Sequence, residues 1–495
     1  MSLQDEINAL RAAPVPAGNL FINGKWVEPA EGKRHHVVSP LDGSELTTIA
    51  EAGPADIDAA VRAARAAFER GVWSRAAPAE RKRVLLKLAA LIEQHALELA
   101  VLGTRDNGTE ISMSLRAEPG SAASTFRYYA EAIDKVYGEI APTPDNVLGL
   151  IHREPVGVVG IIVPWNFPLM IGSWKLAPAL AAGNSVVVKP PEPASLSLLR
   201  LAELAAEAGL PEGVLNVTTG RGSVAGEAIA RHMDIDVLAF TGSGPVGRRL
   251  LEASAQSNLK RVYLELGGKS PNIVFADAPD LDKAVKAAVN GVFRNCGQVC
   301  IAGTRLLVQK VIAEEFTARV VAATRALKLG DPLDMATEVG AVSSATQLAQ
   351  NLGFVEGARC EGADCLTGGE RIRENTGGFY MAPTVFGGVT AEMTLFREEV
   401  FGPVLAVSTF EDEAEAARLA NATTFGLAAG VWTSNLSTAH RMVRAVGSGL
   451  VHVNCYGGSD ITVPLGGVKQ SGFGKDKSLH AFDKFTNLKS AWIQL

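Results

Sequence analysis

The spacing of apolar and polar positions changes character several times along the chain. Residues 20 to 50 read as short strands around turns: LFINGKWVEP holds the pair Asn23-Gly24, the strongest short hairpin signal, and SPLDGSELTTIA repeats the pattern with Asp42-Gly43. Between Asp56 and Ala67, and again from Pro78 to Leu102, apolar residues such as Val84, Leu85, Leu88, Leu91 and Ile92 recur at helical spacing with charges between them. This predicts amphipathic helices, both packed on one face of a sheet. From Val156 the pattern becomes uninterrupted apolar runs, VGVVGIIVP, SVVVK, VLNV, VLAFTG and RVYLEL, separated by helix-like stretches. One of those helices is expected near Val246 to Ala255. Such runs predict a parallel sheet covered on both faces.

Beyond Gly267 the alternation begins again with NIVFAD, a helix near Leu281 to Phe293, RLLVQ, and further pieces up to about Gly474. The fold class is therefore α/β, with two doubly wound α/β domains. Two stretches fall outside them: a β-like excursion over 136 to 155 containing Pro142, Pro144 and Gly149, and a strand-like tail, FTNLKSAWIQL. The tail has no partner nearby in sequence, so it pairs with the excursion or with another subunit. The implied division is 1–135 with 156–266, then 267–475, then a small β unit from 136–155 and 476–495.

Composition narrows the class of function. The chain has 495 residues, 47 Lys plus Arg, 53 Asp plus Glu and a net charge of -6 without blocks of like charge, which argues against nucleic acid as a partner. Its cysteines, Cys296, Cys300, Cys360, Cys365 and Cys455, form neither a disulfide framework nor a zinc-site spacing, so no metal is expected and a reducing, cytoplasmic setting fits. No apolar run reaches the roughly 18 residues a membrane span needs.

The chemistry concentrates in GVFRNCGQVCIAGT, where Cys300 follows Gly297 and Gln298. A thiolate is the reactive form of cysteine, and a glycine-rich turn with exposed N–H groups offers a dipolar setting for one. The competing reading is a small buried hydrophobe. FTGSGPVG places Gly242, Gly244 and Gly247 in a G-x-G-x-x-G spacing between a strand and a helix, the context for a pyrophosphate at a helix N-terminus. Two acidic candidates for the ribose then compete: Glu265, about 20 residues on, and Glu192 with Lys189 at the end of SVVVK. Glu265 also stands between two leucines before Gly267, where a raised pKa would suit a general base. Asn166, held between Pro164 and Pro168, is either a fixed donor to an oxyanion or a turn residue.

Taken together, PWNFP, KPPE, FTGS, LELGGKSP, GQVC and EEVFGPV, in this order, resemble the aldehyde dehydrogenase superfamily over about Leu20 to Leu495. The most specific part is LELGGKSP with GQVC some thirty residues later. YYAEAIDKVYGE, CIAGTRLLV and KDKSLHAFDKFTNLK look most like the bacterial γ-glutamyl-γ-aminobutyraldehyde and 4-aminobutyraldehyde dehydrogenases. The resemblance implies Cys300 as nucleophile, Glu265 as general base, Asn166 with the Cys300 N–H as oxyanion hole, and Lys175 as a supporting group. It implies NAD as cofactor, with Ser243 on the pyrophosphate, Lys189 and Glu192 on the adenosine ribose, and Glu399 with Phe401 at the nicotinamide end. Ile162, Trp165, Gly222, Gly226, Phe240, Thr241, Gly242, Gly247 and Leu266 complete the implied cofactor surface, and Phe167, Trp174, Val299, Ile301, Asp460 and Leu465 the substrate surface. The three units become a cofactor domain, a catalytic domain and an oligomerisation domain, with a homo-oligomer, tetramer rather than dimer, as the implied assembly.

Three departures bear on the substrate. Cys296 replaces a common glutamine, Leu465 a frequent phenylalanine, and Thr109-Glu110 a usual Lys-Pro. Cys296 and Leu465 are expected near the substrate tunnel, and two pocket-facing thiols at 296 and 300 could be trapped by peroxide as a disulfide. Asp460 is expected either to meet a distal amine of the substrate or to bond its own turn. The expected reaction is oxidation of an aldehyde, an aminoaldehyde or a broader aliphatic or aromatic one, to a carboxylic acid. A CoA-acylating relative would need no base such as Glu265, and an inactive scaffold would not need Cys300, Glu265 and Asn166 together.

Overall fold

Continuous apolar strands demand cover on both faces, and the first sheet receives it. The computed structural model, which describes residues 2–495, orders its eight strands as Lys25–Val27, Leu20–Ile22, Leu215–Val217, Ser185–Lys189, Val158–Ile162, Val237–Thr241, Arg261–Glu265 and Gly472–Phe473. The five central strands are parallel. Because side chains alternate along a strand, Val159, Ile161, Val186, Val188 and Val237 enter one core, while Val158, Ile162, Val187, Leu238 and Phe240 enter the other. The N-terminal hairpin turns through Asn23 and Gly24, both at positive φ (52° and 76°), the geometry that favours an Asn-Gly pair.

The two early helices do not share a face of this sheet. The helix Pro54–Arg70 sends Ile57, Ala60, Val61 and Ala64 into the second of these cores, whereas Pro78–Gln94 sends Val84, Leu85, Leu88 and Ile92 into the first. Small alanines let the former lie directly on the strands. The latter packs chiefly on the helices Ser121–Ala132 and Leu196–Ala208, one layer further out. The expected helix to Leu102 is also broken at His95 (φ −101°, ψ 19°), and a separate helix, Ala96–Asn107, starts there with His95 Nδ1 lying 2.8 Å from Glu98 Oε2.

The second sheet runs Asp364–Thr367, Thr384–Gly387, Val404–Phe410, Arg305–Gln309, Pro271–Val274, Ala428–Trp432 and Leu450–Val453, parallel except at its first edge strand. A third, antiparallel sheet joins Glu139–Ala141, Val147–Pro155 and the C-terminal strand Thr486–Gln494, in register from Thr486 opposite Pro155 to Gln494 opposite Val147. The excursion and the tail thus pair within one chain. Between the second and third sheets the chain returns to the first: Gly472–Phe473 adds its last strand, and Ala481, Phe482 and Phe485 fill its core. A cut at 475 misses this return. Among the described residues no helix is long and apolar enough to cross a membrane.

Candidate active site

Open parallel sheets bind ligands beyond the carboxyl ends of their strands, and the first sheet delivers its polar residues there. Asn166 follows the strand Val158–Ile162, Lys189 ends Ser185–Lys189, Thr241 ends Val237–Thr241 and Glu265 ends Arg261–Glu265. A cavity of about 620 Å³ opens at this edge between the two large domains. Trp165, Asn166, Thr241, Gly242, Ser243 and Leu266 line it from one side, Cys300, Glu399 and Phe401 from the other. A larger open groove of about 980 Å³, between the helix Lys310–Arg325 and the strand Thr384–Gly387, contains none of the predicted residues.

Cys300 reaches the cavity through an unusual turn. After the helix Leu281–Phe293, Asn295, Cys296 and Gly297 are all left-handed (φ 48°, 51° and 73°). Gly297 has no room for a side chain, since a Cβ there would lie 2.1 Å from the carbonyl oxygen of Gly402. Gly268 is likewise required: its Cβ would lie 2.6 Å from the Cys300 carbonyl oxygen. Asn166 Nδ2 donates to the Gln298 carbonyl at 2.8 Å, which fixes the amide and leaves its second hydrogen for another acceptor. Cys300 is half-buried at the cavity wall, but Cys296 is fully buried in the second core beside Phe293 and Leu306. Cys296 therefore lies away from the substrate surface, and the expected pocket-facing pair of thiols does not exist.

The thiol is not activated by its turn alone. Burial first, then the carboxylates of Glu265 and Glu399, push the Cys300 pKa up rather than down. A base must take its proton. Glu265 is 5% exposed and neither carboxylate oxygen has a hydrogen-bond partner, an expensive state for a buried acid. Burial, with Asp476 adding to it, raises Glu265 to about 8, although Lys175, Lys484 and Lys475 pull the other way.

Lys175 does not touch the cavity but anchors a buried cluster behind it. Its ammonium lies 2.5 Å from Asp476 Oδ2, and Lys484 pairs with Asp476 Oδ1. All three are within 5% of full burial. Burial opposes the Asp476 charge, but the two lysines outweigh it and hold its pKa below the usual value. The sequence does not single out Asp476 or Lys484, because KDKS reads as a solvated charged turn and the Asp483-Lys484 pair as a surface pair, and nothing in their spacing signals burial.

The remaining predicted residues form two further surfaces. Ser243 precedes the helix Gly244–Ala255 without capping it, so the first N–H groups of that helix are free for an anion. The Thr241 hydroxyl, buried and unpartnered, lies beside it. Gly242 is needed because a Cβ would strike the Phe240 ring at 2.4 Å, and Gly247 backs onto Leu264 and Leu266. Glu192 accepts from Lys189 Nζ at 3.3 Å and from the Gly222 N–H at 2.5 Å, while Gly226 packs on Lys189 and Ile162. At the far end Trp165 and Phe401 meet edge to face with centroids 5.2 Å apart, and Glu399 accepts the Gly268 N–H at 2.9 Å. Burial raises Glu399 to about 7. A Cβ on Gly267 would lie 1.9 Å from Glu399 Oε2, so the paired glycines after Glu265 give Glu399 and Cys300 their places. These features, an anion-ready helix end, a Lys-Glu pair and an aromatic end beside the thiol, fit a dinucleotide.

Of the residues expected on the substrate surface, Phe167, Trp174 and Leu465 are buried in one apolar cluster, with Val299 and Ile301 packed against it, and none of the five lines the cavity. Asp460 is exposed, and its Oδ1 accepts from the Thr462 N–H at 2.9 Å and hydroxyl at 2.6 Å, which is the turn-forming arrangement. The Lys477 ammonium sits 5.5 Å from the Trp174 ring and donates to Ser459 Oγ at 2.6 Å.

Comparison with known proteins follows the same lines. The model of the aldehyde dehydrogenase family matches residues 26–491. A NADP/NAD-dependent aldehyde dehydrogenase of Escherichia coli is 52% identical over 477 residues, 96% of this chain and 95% of that one. An aminoacetaldehyde dehydrogenase of Pseudomonas aeruginosa is 43% identical over 99% of this chain and 98% of its own. A crystal structure of γ-glutamyl-γ-aminobutyraldehyde dehydrogenase from Burkholderia cenocepacia superposes with a TM-score of 0.98 at 49% identity, and so does that of a P. syringae indole-3-acetaldehyde dehydrogenase mutant in complex with NAD+ and IAA; each covers 100% of both chains. The chain belongs to the aldehyde dehydrogenase family and is an NAD-dependent aldehyde dehydrogenase.

Proposed function

We propose that the enzyme oxidises aminoaldehydes, and more broadly aliphatic and aromatic aldehydes, with Cys300, Glu265 and Asn166 as its catalytic residues. The observation that carries the chemistry is a raised thiol and a fixed amide on one cavity, with a raised, unpartnered carboxyl just behind its wall and close enough to act on the thiol's charge. Glu265 accepts the thiol proton and the Cys300 sulfur adds to the carbonyl carbon; Glu265 then releases that proton to solvent and is a carboxylate again before the second half of the reaction. The oxygen, now an anion, takes the free hydrogen of the Asn166 amide and the Cys300 N–H. NAD, held by the Ser243 helix end, Lys189, Glu192 and Glu399, supplies when bound the hydride acceptor that turns this adduct into a thioester. Water then attacks the thioester carbon, Glu265 takes its proton, the carbon–sulfur bond breaks and a carboxylic acid leaves. Lys175, with Asp476, supports the charge state of Glu265 from behind.

Glu192 supports NAD over NADP, since its carboxylate suits a ribose hydroxyl and opposes a 2′-phosphate. The relatives named for aminoacetaldehyde and γ-glutamyl-γ-aminobutyraldehyde support the amine-bearing class, and the one named for indole-3-acetaldehyde supports an aromatic range. The self-bonded turn at Asp460 leaves its outer oxygen for a distal ammonium. NADH formation by purified enzyme with 4-aminobutyraldehyde, a neutral aldehyde of equal length and indole-3-acetaldehyde tests the reading. A drop in kcat/KM confined to the amine substrate in Asp460→Asn supports the aspartate's role; equal rates on all three substrates in both forms refute it. The assembly is read as a homo-oligomer, tetramer rather than dimer, on the strength of Ile140, Leu488 and Trp492, 62 to 74% exposed on the third sheet. Free cysteines suit a cytoplasmic location.

A further inference from the structure

The pair Thr109-Glu110 sits far from the cavity in sequence and does not line it, yet both side chains are buried (1% and 2% exposed) and both end on the turn that carries the nucleophile. Thr109 Oγ1 donates to Asn295 Oδ1 at 2.7 Å, and Glu110 Oε1 accepts the Asn295 backbone N–H at 3.0 Å. Asn295 is the first of three consecutive left-handed residues, a conformation that L side chains adopt at a cost and keep only where the surroundings hold them. From Asn295 the hydrogen bonds run directly into the oxyanion region. Its Nδ2 donates to the Asn166 carbonyl at 3.2 Å, and Gln298 Nε2 donates to the Asn295 carbonyl at 3.1 Å. Asn166 Nδ2 in turn donates to the Gln298 carbonyl. Thr109 closes the ring from the other side, because its N–H donates to Asn107 Oδ1 at 2.9 Å while Asn107 Nδ2 reaches the Asn166 carbonyl at 3.4 Å.

We propose that Thr109 and Glu110 are positioning residues that hold the left-handed Asn295–Gly297 turn, and through it set the Cys300 N–H and the Asn166 amide at the spacing the tetrahedral oxyanion requires. Neither touches substrate or cofactor. Their effect is exerted on Asn295, one residue before the buried Cys296, so the turn is clamped at its entrance by hydrogen bonds and at its centre by the second core. The turn's exit, Gln298, is pinned independently by the Ser343 N–H at 2.8 Å. Thr109 and Glu110 therefore supply the hydrogen bonds that reach Asn295 from outside its contacts with Asn166 and Gln298. This inference rests on the catalytic assignment of Cys300 and Asn166 above.

Stopped-flow measurement of the first NADH turnover, with NAD affinity and KM recorded alongside, tests it in Thr109→Val, Thr109→Ser, Glu110→Ala and Glu110→Gln. Thr109→Val and Glu110→Ala are expected to slow the first turnover at least tenfold while KM and NAD affinity stay within about twofold, because an oxyanion is stabilised only after substrate is bound. Thr109→Ser and Glu110→Gln, which keep the donor and the acceptor, should recover most of the rate. First-turnover rates in Thr109→Val equal to wild type would overturn the proposal. So would a loss that the conservative variants do not rescue, since that is the behaviour of a packing defect. Thr109→Val removes only one hydroxyl and decides the matter alone if Glu110→Ala does not fold. Failure of the catalytic reading itself would look different: Cys300→Ala and Asn166→Ala would then keep the wild-type first-turnover rate.

Discussion

Replacing Glu265 by glutamine keeps the shape of the side chain and removes its ionisation, which separates the two halves of the reaction. Burial places this carboxyl at about 8. For a group with that pKa the basic fraction is about 1% at pH 6 and about half at pH 8, so wild-type turnover should climb on the order of fiftyfold over that range if deprotonation of water limits it. In Glu265→Gln the climb should vanish, and steady-state turnover at pH 8 should fall by about 10² to 10⁴, the usual contribution of a positioned base. The first NADH equivalent should still form, slowly, because external base can take the thiol proton. A stopped-flow trace from pH 6 to 9 reads both quantities: a burst of one NADH per active site followed by near-zero slope. A second, independent signature comes from linkage. The folded state holds the Glu265 proton more tightly than the unfolded chain, so this group's contribution to stability falls as pH rises from the unfolded value near 4.5 through about 8. The glutamine variant should lack that loss. Normal steady-state rates in Glu265→Gln, or a pH climb that survives the substitution, would refute the assignment.

The other expectations are simpler. Cys300→Ala should abolish aldehyde oxidation while NAD binding, followed by fluorescence titration, stays within about twofold of wild type, since the substitution touches no group of the dinucleotide surface. Asn166→Ala should lower kcat by about 10² to 10³, the cost of one lost oxyanion donor; a smaller loss would mean that the Cys300 N–H suffices. Asp476→Asn leaves Lys175 and Lys484 buried together without an anion, and urea denaturation should show a loss of about 3 to 5 kcal/mol in stability.

Much of this was legible in the sequence because it depends on short-range pattern. The parallel strands announce themselves as unbroken apolar runs, and Gly267 and Gly268 of LELGGKSP and Gly242 of FTGSGPVG stand where carboxylate, backbone or ring leaves no room for a Cβ. Cys300 stands out in its glycine-flanked segment and Asn166 between two prolines, whereas Glu399 follows only from the family resemblance of EEVFGPV. Long-range closure was not legible. That Pro54–Arg70 and Pro78–Gln94 take opposite sides of the first sheet depends on which layer has room for alanines, and helical periodicity is the same for both. Asp476 is an acid between two lysines, indistinguishable by composition from a surface turn. The left-handed Asn295 and Cys296 carry side chains, so no glycine marked their strain. The thiol's raised pKa was also hidden, because it comes first from burial and then from Glu265 and Glu399, all of them products of folding.

The return of the C-terminal segment to the first sheet makes the catalytic base dependent on the end of the polypeptide. Lys175 and Glu265 are synthesised early, but the acid that pairs with this lysine and the second lysine that flanks it belong to the final stretch, together with the strand Gly472–Phe473 beside Glu265. Domains fold largely in the order of their synthesis, so during translation both large sheets can form around a lysine that still lacks its counter-ion. The buried Lys175–Asp476–Lys484 cluster beside Glu265 is complete only when the last segment docks. A chain ending before residue 476 would carry every residue assigned above to aldehyde or NAD and leave Lys175 without the acid that pairs with it.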